Sequence, residues 1–244
     1  MGKPTTKITG KATKICIWEQ GDKCDDCNLD QELFCRIRHL RLKYRTIFGG
    51  TFILGPLPAI IGIIISSFSP LSKFFIIFGW GIYAFFFLNI WESHMLCNHC
   101  PYYANNSESK LNCPIDKGKL KTGTYDPGPL SRSEKIQFII GVMILGLYWI
   151  PFLFMKDQWI LAGLSILGTI IWVFATQKLI CVDCVNFSCP LNKVPKEIRD
   201  EFIRKNPIIR KAWEQKGYEF SEKNTLKDQN PSKEKIHKRQ SLNM

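Results

Sequence analysis

The sequence predicts an all-α integral membrane protein: four transmembrane helices arranged as two tandem hairpin repeats, with a cysteine-rich cap on the cytoplasmic side. Three observations predict it. Residues 46–72, 74–91, 136–155 and 158–177 contain no Asp, Glu, Lys, Arg or His. About 17–25 apolar residues in a helix cross a hydrocarbon core about 30 Å thick. Lys and Arg, apart from Lys73 and Lys156, are confined to three polar pieces between and around these windows. All 10 cysteines lie in the same three pieces. The overall hydrophobic content, 45%, is that of an ordinary globular chain, but a soluble core would show amphipathic stripes rather than windows apolar on every side.

Residues 1–45 form the first polar piece. They open on Met1-Gly2-Lys3-Pro4-Thr5-Thr6, a loose myristoylation pattern, and residues 1–15 carry no apolar run for a cleavable leader. From Leu33 the pattern turns helical. Leu33, Ile37, Leu40 and Tyr44 make one apolar stripe flanked by Arg36, Arg38, Arg41, Lys43 and Arg45, which suits a helix lying among lipid headgroups. Cys35 falls opposite that stripe, with His39 one turn on. Cys24, Cys27 and Cys35, completed by either Cys16 or His39, therefore make a candidate tetrahedral metal site.

Residues 46–91 read as the first hairpin, turning at 67–73, with Pro56 and Pro58 breaking its first helix. Residues 92–135 form a loop carrying Cys97, Cys100 and Cys113, with His94 and His99 as candidate fourth ligands. Residues 136–180 read as the second hairpin, turning at Lys156-Asp157-Gln158 and broken near Pro151. Residues 181–220 carry Cys181, Cys184 and Cys189 and then two short amphipathic helices. One spans 195–205 with Ile198 and Phe202 on one face. The other takes Asn206 as its cap, Pro207 as its first residue and Gly217 as its stop, and carries Ile209, Ala212 and Trp213. These helices either cover the cysteines or lie on the headgroups. Residues 221–244 are rich in Lys, Asn, Gln and Ser, the composition of a disordered tail.

Two short turns put the three polar pieces on one side of the membrane. The positive-inside rule makes that side the cytoplasm, with both termini there and the cell membrane as the location. Cytosolic thiols stay reduced, which favours metal or redox chemistry over a disulfide framework. The sequons at Asn105 and Asn186 would stay unmodified there. The net charge of +12 serves orientation and anionic headgroups of the lipid bilayer; no module for nucleic acid accompanies it.

The chain repeats itself. Each hairpin is followed by a CxxC pair, a spacer, and a Cys-Pro step with an apolar residue after it: Cys97, Cys100 and Cys113-Pro114-Ile115, then Cys181, Cys184 and Cys189-Pro190-Leu191. Both units start and end on one side, so the repeat is parallel about an axis along the membrane normal. The two triads then emerge near each other. Either each holds its own site, or all six cysteines pool into one.

Two intervening residues let a tight turn aim both thiolates of a CxxC pair at one ion about 2.3 Å away. Zinc needs four N or S ligands and nothing more. Cysteine before proline, at Cys100, Cys113 and Cys189, points to an iron–sulfur cluster, although the ferredoxin spacing itself is absent. Residues 97–101 read C-x2-C-P and are similar to the C-x3-C-P motifs of the polytopic electron-transfer proteins of nitrous-oxide and nitrate respiration, one residue shorter. That resemblance covers these residues alone and implies electron transfer. The first expectation is an electron-transfer component, rather than a stand-alone enzyme, working between a membrane carrier and a cytoplasmic redox protein. The alternative is a non-catalytic scaffold or assembly factor holding structural zinc. Thiol–disulfide exchange is disfavoured because the pairs follow helix C-termini, whose dipole opposes a thiolate. Transport is disfavoured by the lack of an ionisable pathway in the windows.

Overall fold

The computed structural model describes residues 41–104, 109–111, 113 and 118–221, together with Leu29 and Leu33. Cys16, Cys24, Cys27, Cys35 and His39 lie outside the described residues, as do residues 222–244 of the expected tail. Four helical segments are long and apolar enough to cross a membrane: Tyr44–Ile65, Pro70–His99, Arg132–Phe154 and Trp159–Leu179. Among the described residues there is no strand, only one isolated antiparallel bridge between Lys110 and Leu120.

The first span is two helices, α1 (Arg41–Phe52) and α2 (Pro56–Ile65). Pro56 and Pro58 have no N–H, so the carbonyls of Phe52 and Leu54 lose their helical donors and the rod breaks between them. The fourth span repairs part of the break, because Ser165 Oγ donates to the Gly55 carbonyl at 2.7 Å. The second span begins as α3 (Pro70–Phe86), where the Ser69 hydroxyl accepts from Ser72 N and Pro70 fits the first turn. It runs on through a π-helical turn, Phe87–Trp91, into α4 (Glu92–Met95). The third span opens at α5 (Arg132–Leu147) on a capping box between Ser131 and Glu134. Pro151 divides it from α6 (Ile150–Phe154). The fourth span is the unbroken α7 (Trp159–Leu179).

The connecting turns are locally satisfied. Asp157 takes the left-handed conformation, φ 55°, between α6 and α7. Lys73 Nζ donates to the Ile64 carbonyl at 2.6 Å, closing the open end of α2, and Lys156 lies 4.6 Å over the Phe68 ring.

α7 packs along both α1 and α2, while α3 meets α5. Small residues permit these contacts: a Cβ on Gly168 would stand 2.2 Å from the Leu54 carbonyl oxygen. Aromatic donors tie the second span to the third, with Trp80 Nε1 on Leu145 O at 3.0 Å and Tyr83 Oη on Gly141 O at 2.9 Å. Large apolar side chains such as Phe75, Phe85, Ile136, Ile160 and Phe174 remain exposed on the outer faces, as lipid contact requires.

Beyond the fourth span lie α8 (Lys196–Lys205) and α9 (Pro207–Gln215), with Gly217 ending α9 at φ 77°. Asn206 stands at the α9 cap position, yet its side chain donates back to Phe202 O at 2.7 Å instead of capping. Phe202, Ile203, Ile209 and Trp213 bury themselves with Cys100, Tyr102, Val185 and Phe187. These helices thus pack on the segments that carry the cysteines.

Asp200 anchors the end of this unit. It is 1% exposed and accepts from Tyr218 Oη at 2.6 Å, Ser221 Oγ at 2.6 Å and Ser221 N at 2.8 Å. Burial alone would raise its pKa, but these bonds and the Lys196 charge overcome burial and hold it below the ordinary value. Asp200→Ala leaves buried donors unpaired and is expected to cost about 1–3 kcal/mol. A depressed carboxyl contributes its full stability above the unfolded-state pKa and loses it as pH falls through the lower folded value. The stability gap between wild type and Asp200→Ala, read by chemical denaturation, should therefore hold near neutrality and shrink only below about pH 4.

Candidate metal centre

The two CxxC segments follow the ends of the second and fourth spans. Cys97 starts a 3-10 turn, Cys97–His99, closed by the Cys100 N–H on Cys97 O at 2.9 Å. Pro101 then forces a second such turn, Pro101–Tyr103. In the other segment, Cys181 N donates to Thr176 O at 3.0 Å, and Cys189 N to Asn186 O at 3.2 Å. The Asn192 side chain donates to the carbonyls of Cys184 and Asn186, at 2.7 and 3.1 Å, and holds that loop in its curve. A side-chain bond crosses between the segments, where Asn186 Nδ2 donates to Leu96 O at 3.1 Å, beside Cys97.

These turns bring Cys97, Cys100, Cys113, Cys181, Cys184 and Cys189 onto the wall of one cavity of about 140 Å³. None of the six is joined in a disulfide. The rest of the wall is mainly apolar and comes from all four spans: Phe48, Phe87, Phe138, Leu145 and Trp172 among others. One carboxylate reaches it. Glu92 lines the cavity and pairs with Lys119 at 3.1 Å, while Lys119 also donates to Leu88 O in the π turn.

Burial pushes the Cys181 thiol up to about 11, with Lys193 drawing it partly back. Cys189 is raised above the ordinary thiol range, by burial first and then by Cys184, against a backbone hydrogen bond from Leu191; Cys181 and Glu92 add to the rise. Tyr125 is raised by burial and by the neighbouring Cys100 and Asp126. Without a cation, Cys181 and Cys189 thus stay protonated at neutral pH, a poor state for a nucleophilic redox dithiol. A bound metal reverses that preference, because coordination deprotonates a thiol outright.

The histidines stand apart. His99 is buried with Nδ1 on Gly128 O at 2.8 Å, His94 is exposed, and neither lines the cavity. Among the described residues, no three His, Cys, Asp or Glu side chains converge closely enough to hold a single ion. The thiols are spread around the space rather than gathered on a point.

Sequence reasoning misses Glu92, Asn186, Trp172 and Thr176 among the residues of this wall. Glu92 is the first charge after an apolar window and reads as the start of a loop, whereas here the helix continues through it. Asn186 reads as an unused sequon. Trp172 and Thr176 vanish into an apolar window. A signal exists only for Thr176, one of the few polar residues in the membrane windows. Comparison with protein-family models, with curated proteins and with solved structures finds no match to this chain.

Proposed function

We propose that this chain is a membrane protein whose two cysteine triads hold one shared metal centre, an iron–sulfur cluster, at the cytoplasmic end of two repeated hairpins. It passes electrons between a carrier dissolved in the bilayer and a cytoplasmic redox protein. The observation that carries the reading is the common cavity wall formed by Cys97, Cys100, Cys113, Cys181, Cys184 and Cys189. Tetrahedral zinc uses four ligands on a single point. Six thiols around a cavity offer more sulfur, more widely spaced, which suits a polynuclear centre. The apolar wall supports the same reading, since low polarity and exclusion of solvent tune the potential of a cluster. Packing of α8 and α9 on the cysteine segments serves that exclusion. Cys24, Cys27 and Cys35, completed by either Cys16 or His39, supply the ligands of a second centre in the arm.

Metal analysis tests the reading. Protein purified without oxygen should be brown and contain iron with acid-labile sulfide. A colourless protein with stoichiometric zinc would replace the electron-transfer reading by the scaffold or assembly factor. Sidedness is tested separately. An impermeant thiol reagent applied to intact cells should leave all cysteines unmodified until the membrane is opened, and labelling before that would remove the cytoplasmic assignment.

A further inference from the structure

Residues 123–128 form a strap bonded across the turn that holds Cys97 and Cys100. At one end Gly123 N donates to Tyr103 Oη at 2.6 Å, and Tyr103 Oη donates to Gly123 O at 2.9 Å. In the middle Asp126 N donates to Asn98 O at 2.9 Å, inside the CxxC pair itself. At the other end Gly128 O meets His99 Nδ1 at 2.8 Å. From outside, Trp213 Nε1 donates to Pro127 O at 3.1 Å, which ties α9 to the strap. Tyr125 is the residue these bonds hold in place. Its side chain packs against two apolar clusters, one containing Cys100 and Tyr102, the other Cys97, Tyr103 and Leu111. Its hydroxyl is buried and has no hydrogen-bond partner. A buried donor left unpaired costs about 1–3 kcal/mol, and a phenylalanine would fill the same space without that cost. The neighbouring Asp126 does not take the proton, since its Oδ1 accepts from Gly128 N at 2.9 Å.

We propose that Tyr125 is a positioning residue of the metal centre, whose hydroxyl donates to the Cys100 sulfur when that sulfur is a metal-bound thiolate. The charge that acts on the phenol most strongly is that of Cys100, ahead of Asp126, and together with burial it keeps the phenol protonated and therefore a donor. A neutral thiol is a weak acceptor. An ionised acceptor makes a bond roughly twice as strong as a neutral one. The bond therefore has its value in the loaded centre and little in the chain alone. Its chemical consequence is specific. A donor at a ligand sulfur draws negative charge away from the metal, and hydrogen bonds to the sulfurs are among the terms that set the potential of an iron–sulfur cluster. The reduced form carries the extra negative charge, so the bond favours reduction. This inference deepens the metal reading and rests on it, although not on the choice between iron and zinc.

Tyr125→Phe in the full chain tests it, because the change removes one oxygen and keeps the ring. In protein purified without oxygen, iron and sulfide should match the wild type. The reduction equilibrium of the triad centre should shift about three- to tenfold toward the oxidised form, at most about 59 mV for a one-electron couple. With cobalt(II) loaded as the metal, the thiolate-to-cobalt absorption band should move to longer wavelength. Metal held by a variant lacking all six triad cysteines belongs to the arm and is subtracted in both cases. A role in the fold alone predicts something else. The metal-stripped Tyr125→Phe chain should unfold no lower than the wild type, since it loses no bond. Tyr125→Leu also lacks the donor and repeats the metal readings if Tyr125→Phe does not fold. An unmoved equilibrium with an unmoved cobalt band, or a metal-stripped Tyr125→Phe chain less stable than the wild type, overturns the proposal. The failures are distinguishable: a triad centre that ignores Tyr125→Phe sinks this inference alone, and a wild type that takes up neither iron nor cobalt at the triads sinks the metal reading with it.

Discussion

Replacing one cysteine of either triad is expected to empty the whole centre. Cys100→Ala and Cys184→Ala sit in different cysteine triads, 84 positions apart in the chain, yet both side chains line the same cavity. If the triads share one cluster, each variant should lose nearly all iron, sulfide and visible absorbance of that centre. If each triad kept its own, each variant would retain about half. The two results differ enough for metal analysis to separate them once the iron left in a variant lacking all six triad cysteines, which belongs to the arm, is subtracted. Alanine is the better replacement, because serine would leave a hydroxyl in an apolar wall. The fold should survive the change: Cys100 packs in a cluster with Tyr102, Val185 and Phe202, where loss of one sulfur leaves the larger side chains in place. Unfolding temperature with and without metal gives the control. Metal bound only to the folded chain stabilises it by linkage, so the wild type should lose stability on metal removal, while both variants start from the lower value.

The spans are legible in the sequence because the bilayer imposes a length and a composition that few other constraints mimic. The breaks at Pro56 and Pro151 are legible too, since a missing N–H acts within the residue's own turn. Gly217 is legible as a stop for the same local reason. Asn206 shows where local reasoning ends. Its position fits a cap, but its amide finds the Phe202 carbonyl one turn back. The candidate site is legible as two triads, while the choice between separate sites and one pooled site is not. The shared wall of Cys97 and Cys189 is held by contacts such as Asn186 on Leu96, 90 residues apart, which no spacing encodes. Glu92 is hidden because a charge at the end of an apolar window reads as the membrane edge. Its Lys119 partner, 27 positions later, lets the helix carry it to the cavity.

The second large effect is expected at Gly168. A Cβ there would lie 2.2 Å from Leu54 O, 2.4 Å from Leu54 C and 2.8 Å from Gly55 N. These are backbone atoms at the break between α1 and α2, and no rotamer change can move them. The first span must shift away from the fourth, so Gly168→Ala should cost about 3 kcal/mol, the upper end of overpacking penalties, or prevent folding. Gly163 lies on the same helix, and a Cβ added there would meet nothing within 4 Å, so Gly163→Ala should be neutral or stabilising by about 0.5–1 kcal/mol. Ser165→Ala removes only the bond to Gly55 O and should cost about 0.6 kcal/mol, the average for such a bond between membrane helices. Unfolding of the three variants in detergent orders them directly. The contact also matters to the cavity. Phe48 on the first span and Trp172 on the fourth meet edge to face at 5.7 Å, and both line the cavity. Separating the spans opens that wall to lipid. A folded fraction of Gly168→Ala should therefore keep its thiols and lose bound metal, whereas Gly163→Ala and Ser165→Ala should keep both.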